Sequence, residues 1–425
     1  MKFFQKRLTT TQTIILSFLF VILIGTLLLT TPLASANGEA TPFMDALFTA
    51  TSCVCVTGLV TVTTATHWNL FGHIIMLIMI QIGGLGVVAM TTVFTMLLGK
   101  KLSLSSRMLL GDAFNLDTLQ GLVKFLRRVF KGTFIVEGLG AVLYLPAFVP
   151  EYGSKGIWYS IFHSVSAFCN AGIDLLGADS LIPYVHNVWV NVVTMLLIII
   201  GGIGFIVWFD VLSVIRKWIH KDNYGMGILQ SLKLHSKIVL TMTAFLLISG
   251  AVLYFVFEYN NPETIGRFTL GEKILAACFQ SVTTRTAGFV TIPQKGLTMP
   301  SVVITLFLMF IGGSPVGTAG GVKTATISVI ILTVIATVRG QEDITCFKRR
   351  ISEKTARKSL AVVLISFLVS LIAIIAMLIF ENGDAVDQIF EVYSALGTVG
   401  ISRDYTSVVG LAGKIILCIC MYLGR

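Results

Sequence analysis

Charged residues are scarce in this 425-residue chain, because Asp, Glu, Lys and Arg make up 12% of the sequence while hydrophobic residues make up 55%. The mean hydropathy is +0.88. A soluble protein of this size cannot cover its surface with so few polar groups, so the composition excludes a soluble globular fold. The chain is therefore predicted to be a polytopic membrane protein whose first partner is the lipid bilayer.

Residues suited to catalysis and metal binding are also few. The six histidines and seven cysteines show neither metal-ligand spacing nor a disulfide framework. No G-x-S-x-G or H-E-x-x-H motif is present. The stretch from Gly317 to Thr324 resembles a phosphate-binding loop, but Val322 stands where that motif requires glycine. We therefore predict that the chain is not an enzyme and carries no covalent cofactor.

Apolar segments divide into two length classes. A bilayer core about 30 Å thick takes roughly 20 apolar residues per helix. Eight segments approach or exceed that length: Thr13–Leu33, Leu70–Leu98, Phe134–Val149, Val188–Ile215, Ile238–Phe257, Ser301–Val338, Ser359–Ile379 and Val408–Leu423. Four shorter ones lie between them: Phe43–Cys53, Gly156–Phe168, Gly271–Thr283 and Asp384–Leu396. The short segments are predicted to be re-entrant half-helices, since they cannot cross a bilayer.

Four glycines mark a repeat: Gly58, Gly172, Gly288 and Gly400 follow the four short segments at separations of 114, 116 and 112 residues. The predicted fold is therefore an all-α polytopic membrane protein. Its four tandem helix–pore helix–filter loop–helix repeats form a pseudo-fourfold arrangement around a central pore. The predicted repeats are residues 1–110, 111–220, 221–345 and 346–425.

The loops that carry these glycines suit the coordination of a dehydrated cation. Backbone carbonyls can replace the hydration shell of K⁺, and glycine can adopt the positive φ that turns successive carbonyls toward one axis. The alternative is that the glycines only relieve crowding between helices. The predicted filter, with K⁺ at its backbone carbonyls, comprises Val56, Thr57, Gly58, Asn170, Ala171, Gly172, Thr286, Ala287, Gly288, Thr398, Val399 and Gly400.

Charge distribution predicts the orientation. Of the 31 lysines and arginines, 22 precede the first helix or lie between repeats, so these segments and the N-terminus are predicted to be cytoplasmic. This topology accounts for the net charge of +10, and no cytoplasmic segment is long enough to fold into a nucleic-acid-binding surface. The first apolar segment is predicted to remain as an uncleaved helix.

A second glycine pattern predicts a gate. Gly312–Gly321 contains five glycines and one proline, which cannot sustain a helix in lipid, and we expect a flexible loop beneath the filter. The alternative is a static kink. Arg425 occupies a position where other repeats have a second glycine, and it is expected in the pore or, alternatively, at the inner membrane surface. The predicted gate comprises Gly312, Gly313, Ser314, Pro315, Gly317, Thr318, Gly320, Gly321, Lys323 and Arg425.

Two strings, Phe279–Phe289 and Ile311–Thr324, resemble the Ktr/Trk/HKT superfamily of potassium transporters, and the chain is most similar to the bacterial Ktr membrane subunit. The resemblance implies potassium uptake across the bacterial plasma membrane, often with sodium dependence. It also implies a homodimer with one pore per subunit and a cytoplasmic RCK-type ring, through which alone a nucleotide would act. Family members continue beyond the position of Arg425, so the last helix is expected to be truncated in this sequence.

An alternating-access cation transporter is the alternative function. Such transporters have inverted repeats and helices broken at matching positions in two halves. The sequence predicts four repeats of the same polarity and one strongly broken inner helix, which favours a channel-like pore gated by the Gly312–Gly321 loop and a cytoplasmic regulatory subunit.

Overall fold

The computed structural model describes residues 9–97, 108–111, 121–220 and 227–425, and these are predominantly helical. Several basic residues of the predicted cytoplasmic segments lie outside these ranges: Lys2, Lys6, Arg7, Lys100, Lys101, Arg107 and Lys221.

The helices follow one order in each predicted repeat. Residues 9–97 form α1 (Thr10–Thr30), α2 (Phe43–Cys55), α3 (Thr64–His67), α4 (Leu70–Leu85) and α5 (Val87–Leu97). Residues 121–220 form α6 (Leu122–Tyr152), α7 (Lys155–Cys169), α8 (Val188–Ile203) and α9 (Phe205–Ile219), with a 3-10 turn at Ile182–Tyr184. Residues 227–338 form α10 (Ile228–Ser231), α11 (Leu234–Glu258), α12 (Leu270–Thr283), α13 (Met299–Phe310) and α14 (Thr324–Val338).

An antiparallel hairpin of β1 (Thr345–Cys346) and β2 (Arg349–Arg350) then leads into the last repeat. The repeat boundary predicted after residue 345 falls inside this hairpin. The remaining helices are α15 (Glu353–Phe380), α16 (Ala385–Gly397) and α17 (Leu411–Gly424), with a 3-10 turn at Thr406–Val408.

Local side chains explain where many helices begin. A capping box of Thr9 and Gln12 starts α1, and Thr269 with Glu272 forms another at the start of α12. Asn69 and Asp384 accept backbone hydrogen bonds from the first turns of α4 and α16. These caps satisfy amide groups that have no partner within their own helix.

Four described helices are long and apolar enough to span a membrane, namely Thr11–Thr30, Leu122–Tyr152, Leu234–Glu258 and Glu353–Phe380. The apolar segment predicted over Phe134–Val149 is shorter than the helix that contains it, since α6 has 31 residues. Glu137 does not interrupt α6, since its carboxylate is buried and accepts a hydrogen bond from Gln81 at 3.2 Å. Large apolar side chains such as Phe20 and Ile372 are about two-thirds exposed, as a lipid-facing surface requires.

The inner helices are less regular than the sequence predicted. The segment predicted as one helix over Leu70–Leu98 bends by 102° between α4 and α5, and that over Val188–Ile215 bends by 99° between α8 and α9. Gly86 and Gly204 sit at these bends with φ of 88° and 94°. The expectation that only the third inner helix is strongly broken was therefore wrong, because a single glycine in the left-handed region suffices to redirect a helix.

Packing links the repeats in a closed order. Each inner helix contacts the short helix of the next repeat: α4 packs on α7, α8 on α12 and α13 on α16. The last inner helix, α17, packs on α2 of the first repeat. The four short helices, of 13 to 15 residues, are present within two residues of their predicted bounds. Their C-terminal ends therefore converge on one region of the molecule.

Candidate functional site

The four repeat glycines meet in this region, and each lies against a backbone carbonyl of another loop. A Cβ atom added to Gly58 would lie 2.6 Å from the Ala171 carbonyl oxygen, and one on Gly172 would lie 2.5 Å from that of Ala287. A Cβ on Gly288 would lie 2.8 Å from the Val399 oxygen. A Cβ on Gly400 would overlap the Thr57 carbonyl oxygen. Thr57 belongs to the first loop, so the order of contacts closes. Glycine is thus required at all four positions by close approach of backbone to backbone.

Backbone conformation repeats in the four loops. The glycines have φ between 63° and 101°, as the sequence predicted for residues that turn their carbonyls. The residue two positions earlier is also left-handed, with φ of 56° at Val56, 60° at Asn170, 69° at Thr286 and 51° at Thr398. Valine and threonine rarely adopt this conformation, and such strain is typical of functional sites. These four non-glycine residues belong to the predicted filter, but no local pattern predicts their left-handed backbone.

Hydroxyl groups on the short helices hold the loops, and sequence reasoning missed them. Ser52 Oγ accepts the amide of Gly58 at 3.0 Å, and Ser394 Oγ accepts that of Gly400 at 3.1 Å. Ser166 Oγ donates to the Ile173 carbonyl at 2.6 Å, and Thr283 Oγ1 donates to that of Phe289 at 2.6 Å. A serine six residues before the glycine in three repeats is the signal that could have revealed them.

A cavity of about 480 Å³ adjoins all four glycines. Three acidic residues line it, namely Asp174, Asp179 and Asp404. All three follow the short helices and lie opposite the predicted cytoplasmic segments, on the predicted outer side. Burial raises the pKa of the Asp174 carboxyl to about 6. Other acids of that side have structural partners instead, since Glu258 accepts the Thr298 amide at 2.9 Å. The cavity thus combines the glycine loops with carboxylates that can attract cations.

The segment predicted as a gate is non-helical from Ile311 to Lys323 and lies against the loops and the helix breaks. We call it the gate loop. Thr318 Oγ1 donates to the Phe168 carbonyl at 3.0 Å, at the end of α7. The amide of Ser314 donates to the Gly202 carbonyl at 2.9 Å. These contacts connect the gate loop to the second repeat.

Several gate-loop glycines are required by close contacts. A Cβ on Gly320 would overlap the Thr398 hydroxyl, and one on Gly312 would overlap the Gly320 carbonyl. A Cβ on Gly313 would meet Ala319, and one on Gly317 would lie 3.1 Å from the Gly201 oxygen. The remaining predicted members lie in the same segment: Pro315 forms its turn, and the Gly321 amide donates to the Gly424 carbonyl at 3.2 Å.

Arg425 lies against the gate loop and is partly buried. Its Nη1 donates to the Thr318 carbonyl, and its Nη2 donates to the Gly83 carbonyl and, at 3.4 Å, to that of Gly84. Lys323 Nζ donates to the Ala319 carbonyl at 2.6 Å. One guanidinium therefore joins the gate loop to the end of α4.

These features define a helical membrane protein whose four glycine loops converge beside an acidic cavity, as in ion-transport proteins. Residues 3–425 match the family described as TrkH: Cation transport protein, and the chain belongs to this family. Membership makes it an ion transporter of the Ktr/TrkH family rather than an enzyme.

Similar proteins agree with this assignment. Potassium/sodium uptake protein NtpJ of Enterococcus hirae is 40% identical, over 99% of this chain and 91% of that protein. Ktr system potassium uptake protein B of Bacillus subtilis is 37% identical, over the same shares of the two chains. The potassium transporter TrkH from Vibrio parahaemolyticus has a similar structure, with a TM-score of 0.71 at 16% identity, covering 99% of this chain and 84% of that one. This last likeness concerns the fold.

Proposed function

We propose that the chain mediates potassium uptake through a channel-like pore whose filter is formed by the four glycine loops. The observation that carries this proposal is the contact of each repeat glycine with a carbonyl of another loop, in an order that returns from Gly400 to Thr57. In the proposed filter, these backbone oxygens surround one axis in a pseudo-fourfold manner. Potassium is the proposed ion because both relatives named above are titled potassium uptake proteins.

The short helices support the electrostatics of this filter. Their C-terminal ends point to the loops, and a helix C-terminus carries partial negative charge that favours a cation. Each repeat contributes one glycine rather than the two of a TVGYG loop, so we propose fewer carbonyl rings and weaker discrimination between K⁺ and Na⁺. Sodium is included as a second ion because one relative is titled a potassium/sodium uptake protein.

The gate loop is proposed to close the pathway beneath the filter. It contacts the second repeat through Thr318 and approaches the fourth filter loop through Gly320 and Thr398. Arg425 holds it to α4 through the Thr318 carbonyl. Transport then requires these few hydrogen bonds to break, which a regulatory protein could favour by binding the open arrangement.

The membrane location and the partner proteins of the chain are proposed as follows. We propose a bacterial plasma membrane location with a cytoplasmic N-terminus, because basic residues concentrate between the repeats. A homodimer and a cytoplasmic RCK-type nucleotide-binding ring follow from the family resemblance. Nucleotide would act through that ring alone.

Alternating access remains the second candidate because helices are broken at both Gly86 and Gly204. In that mechanism the breaks are related between two halves of inverted topology. Here a break follows the repeat glycine in each of three successive repeats, which favours a fourfold pore over two inverted halves.

Flux measurements in proteoliposomes test the proposal. The purified chain should support K⁺ and Rb⁺ uptake that exceeds Na⁺ uptake. With the membrane potential held at zero by a protonophore, unlabelled K⁺ on the opposite side should not accelerate this uptake. Acceleration by K⁺ on the opposite side at zero membrane potential would instead identify an alternating-access carrier. Equal flux of all three ions would remove the four loops as a selective filter.

A further inference from the structure

Arg285 is a buried arginine in the third filter loop and has few partners. Arg285 directly precedes Thr286 in the chain and is 7% exposed. Nη2 donates to the Gly312 carbonyl at 3.4 Å, whereas Nε has no hydrogen-bond partner within the described ranges. No carboxylate of the described residues forms an ion pair with it. A buried cation in this state is costly, so a role beyond packing is expected.

A small cavity of about 20 Å³ lies beside the guanidinium. It is lined by residues from separate parts of the fold, including Asn170 of the second filter loop, Gly313 of the gate loop and Thr243 of α11. The Thr243 hydroxyl is the second buried polar group at this cavity without a partner in the described part of the chain. A cavity of this size accommodates one water molecule, which can bond to both groups.

The position of Arg285 connects two functional elements. Its backbone belongs to the third filter loop, and its guanidinium reaches the first carbonyl of the Gly312–Gly321 segment. This hydrogen bond is long at 3.4 Å, and the charge on its donor offsets part of the loss of strength that the length causes. The guanidinium can therefore anchor the start of the gate loop relative to the filter, while a water bridge to Thr243 restrains the guanidinium itself.

We propose that Arg285 is a positioning residue that couples the third filter loop to the gate loop, with Thr243 and one bridging water holding its side chain. This inference rests on the proposed function of the gate loop. Two effects of the side chain are separable. Its contact with Gly312 stabilises the loop in its present position and lowers the maximal rate. Its charge behind the filter opposes K⁺ binding and raises KM.

The test measures KM and maximal rate of K⁺ uptake in proteoliposomes for Arg285→Gln, in the full chain and in a chain lacking residues 315–318. In the full chain, the maximal rate should rise about fivefold. This factor corresponds to the loss of one hydrogen bond that contributes roughly 1 kcal/mol. In the shortened chain, which should already transport faster, the same substitution should leave the maximal rate unchanged. KM should fall in both backgrounds. Arg267→Gln, at an exposed position of the same repeat, is the matched control.

Thr243→Val provides a second variant that preserves side-chain volume. It should raise the maximal rate less than Arg285→Gln does. The double variant should have the same maximal rate as Arg285→Gln alone. Thr241→Val, at an exposed position of the same helix, is its control. If Arg285→Gln fails to fold, Thr243→Val in the full and shortened chains decides the question.

The outcomes separate the two proposals. An equal rise in maximal rate in both backgrounds, or no rise in the full chain, would overturn the coupling by Arg285 while leaving the gate intact. A shortened chain that folds but transports no faster would overturn the gating role of the loop, and the coupling would fall with it.

Discussion

Lys414 Nζ lies 2.6 Å from Asp45 Oδ1, so an ion pair joins α17 of the last repeat to α2 of the first. Both side chains are less than one-fifth exposed. Asp45 also accepts a hydrogen bond from Thr61 Oγ1 at 2.8 Å. The ion pair therefore reinforces the packing of α17 on α2, which closes the order of contacts between the repeats.

Replacement of Lys414 by methionine should destabilise the protein, because it leaves a mostly buried carboxylate without its cation. We expect a loss of about 2 kcal/mol, below the range for fully buried pairs because some solvent screening remains. Thermal unfolding in detergent measures the loss. Arg357→Met, which breaks an exposed pair with Glu353, is the control and should change little. A similar effect of Lys414→Met in an Asp45→Asn background would show that the ion pair is not its cause.

Replacement of Gly288 by serine should weaken K⁺ uptake and K⁺/Na⁺ discrimination. The backbone φ of 85° is unfavourable for serine, and its Cβ would press on the Val399 oxygen at 2.8 Å. A strain of about 1–2 kcal/mol corresponds to a rise in KM for K⁺ of roughly tenfold. Uptake kinetics with K⁺ and Na⁺ measure both effects. Gly138→Ser, which meets no neighbouring atom within 4 Å, should be neutral. Unchanged affinity and selectivity in Gly288→Ser would exclude this loop from the filter.

Replacement of Arg425 by alanine should increase the maximal rate of K⁺ uptake with little change in selectivity. The change removes the hydrogen bonds to the Thr318 and Gly83 carbonyls and releases the gate loop from α4. Loss of charged hydrogen bonds predicts a rise of roughly tenfold. Concentration-dependent uptake of K⁺ and Na⁺ measures rate and selectivity together, with exposed Arg349→Ala as the control. An unchanged rate would assign closure to the gate loop alone.

Acidification of the outer side should raise KM for K⁺ as pH falls from 7 to 5. The pKa of Asp174 is about 6 because the carboxyl is buried, so its negative charge at the cavity is present above that pH and lost below it. One charge in a wet cavity predicts a change of roughly two- to threefold. Asp174→Asn should remove this pH dependence and keep KM at its high value at every pH. Asp179→Asn should retain the pH dependence. A pH response that persists in Asp174→Asn would assign it to another group.

Much of the candidate site is predictable from local sequence. The four repeat glycines and the short helices before them are recognisable because each follows a segment too short to cross a bilayer. The interruption at Gly312–Gly321 is equally clear, since five glycines and a proline exclude a regular helix. The bends at Gly86 and Gly204 were missed, although each of these residues ends a Gly-Gly-x-Gly string, because glycine is common in membrane helices.

The sequence by itself determined a membrane protein with four short helices, each followed by a glycine loop, because hydrophobic length and glycine spacing act locally along the chain. Only the tertiary structure decided which atoms meet. It brought Gly400 against the Thr57 carbonyl, Arg425 against Thr318 and Arg285 against Gly312. It also imposed left-handed backbone on Val56, against that residue's own preference. The first two contacts join residues more than a hundred positions apart, and the third joins residues 27 positions apart on either side of α13. No local propensity encodes such contacts, because they depend on how separate segments pack.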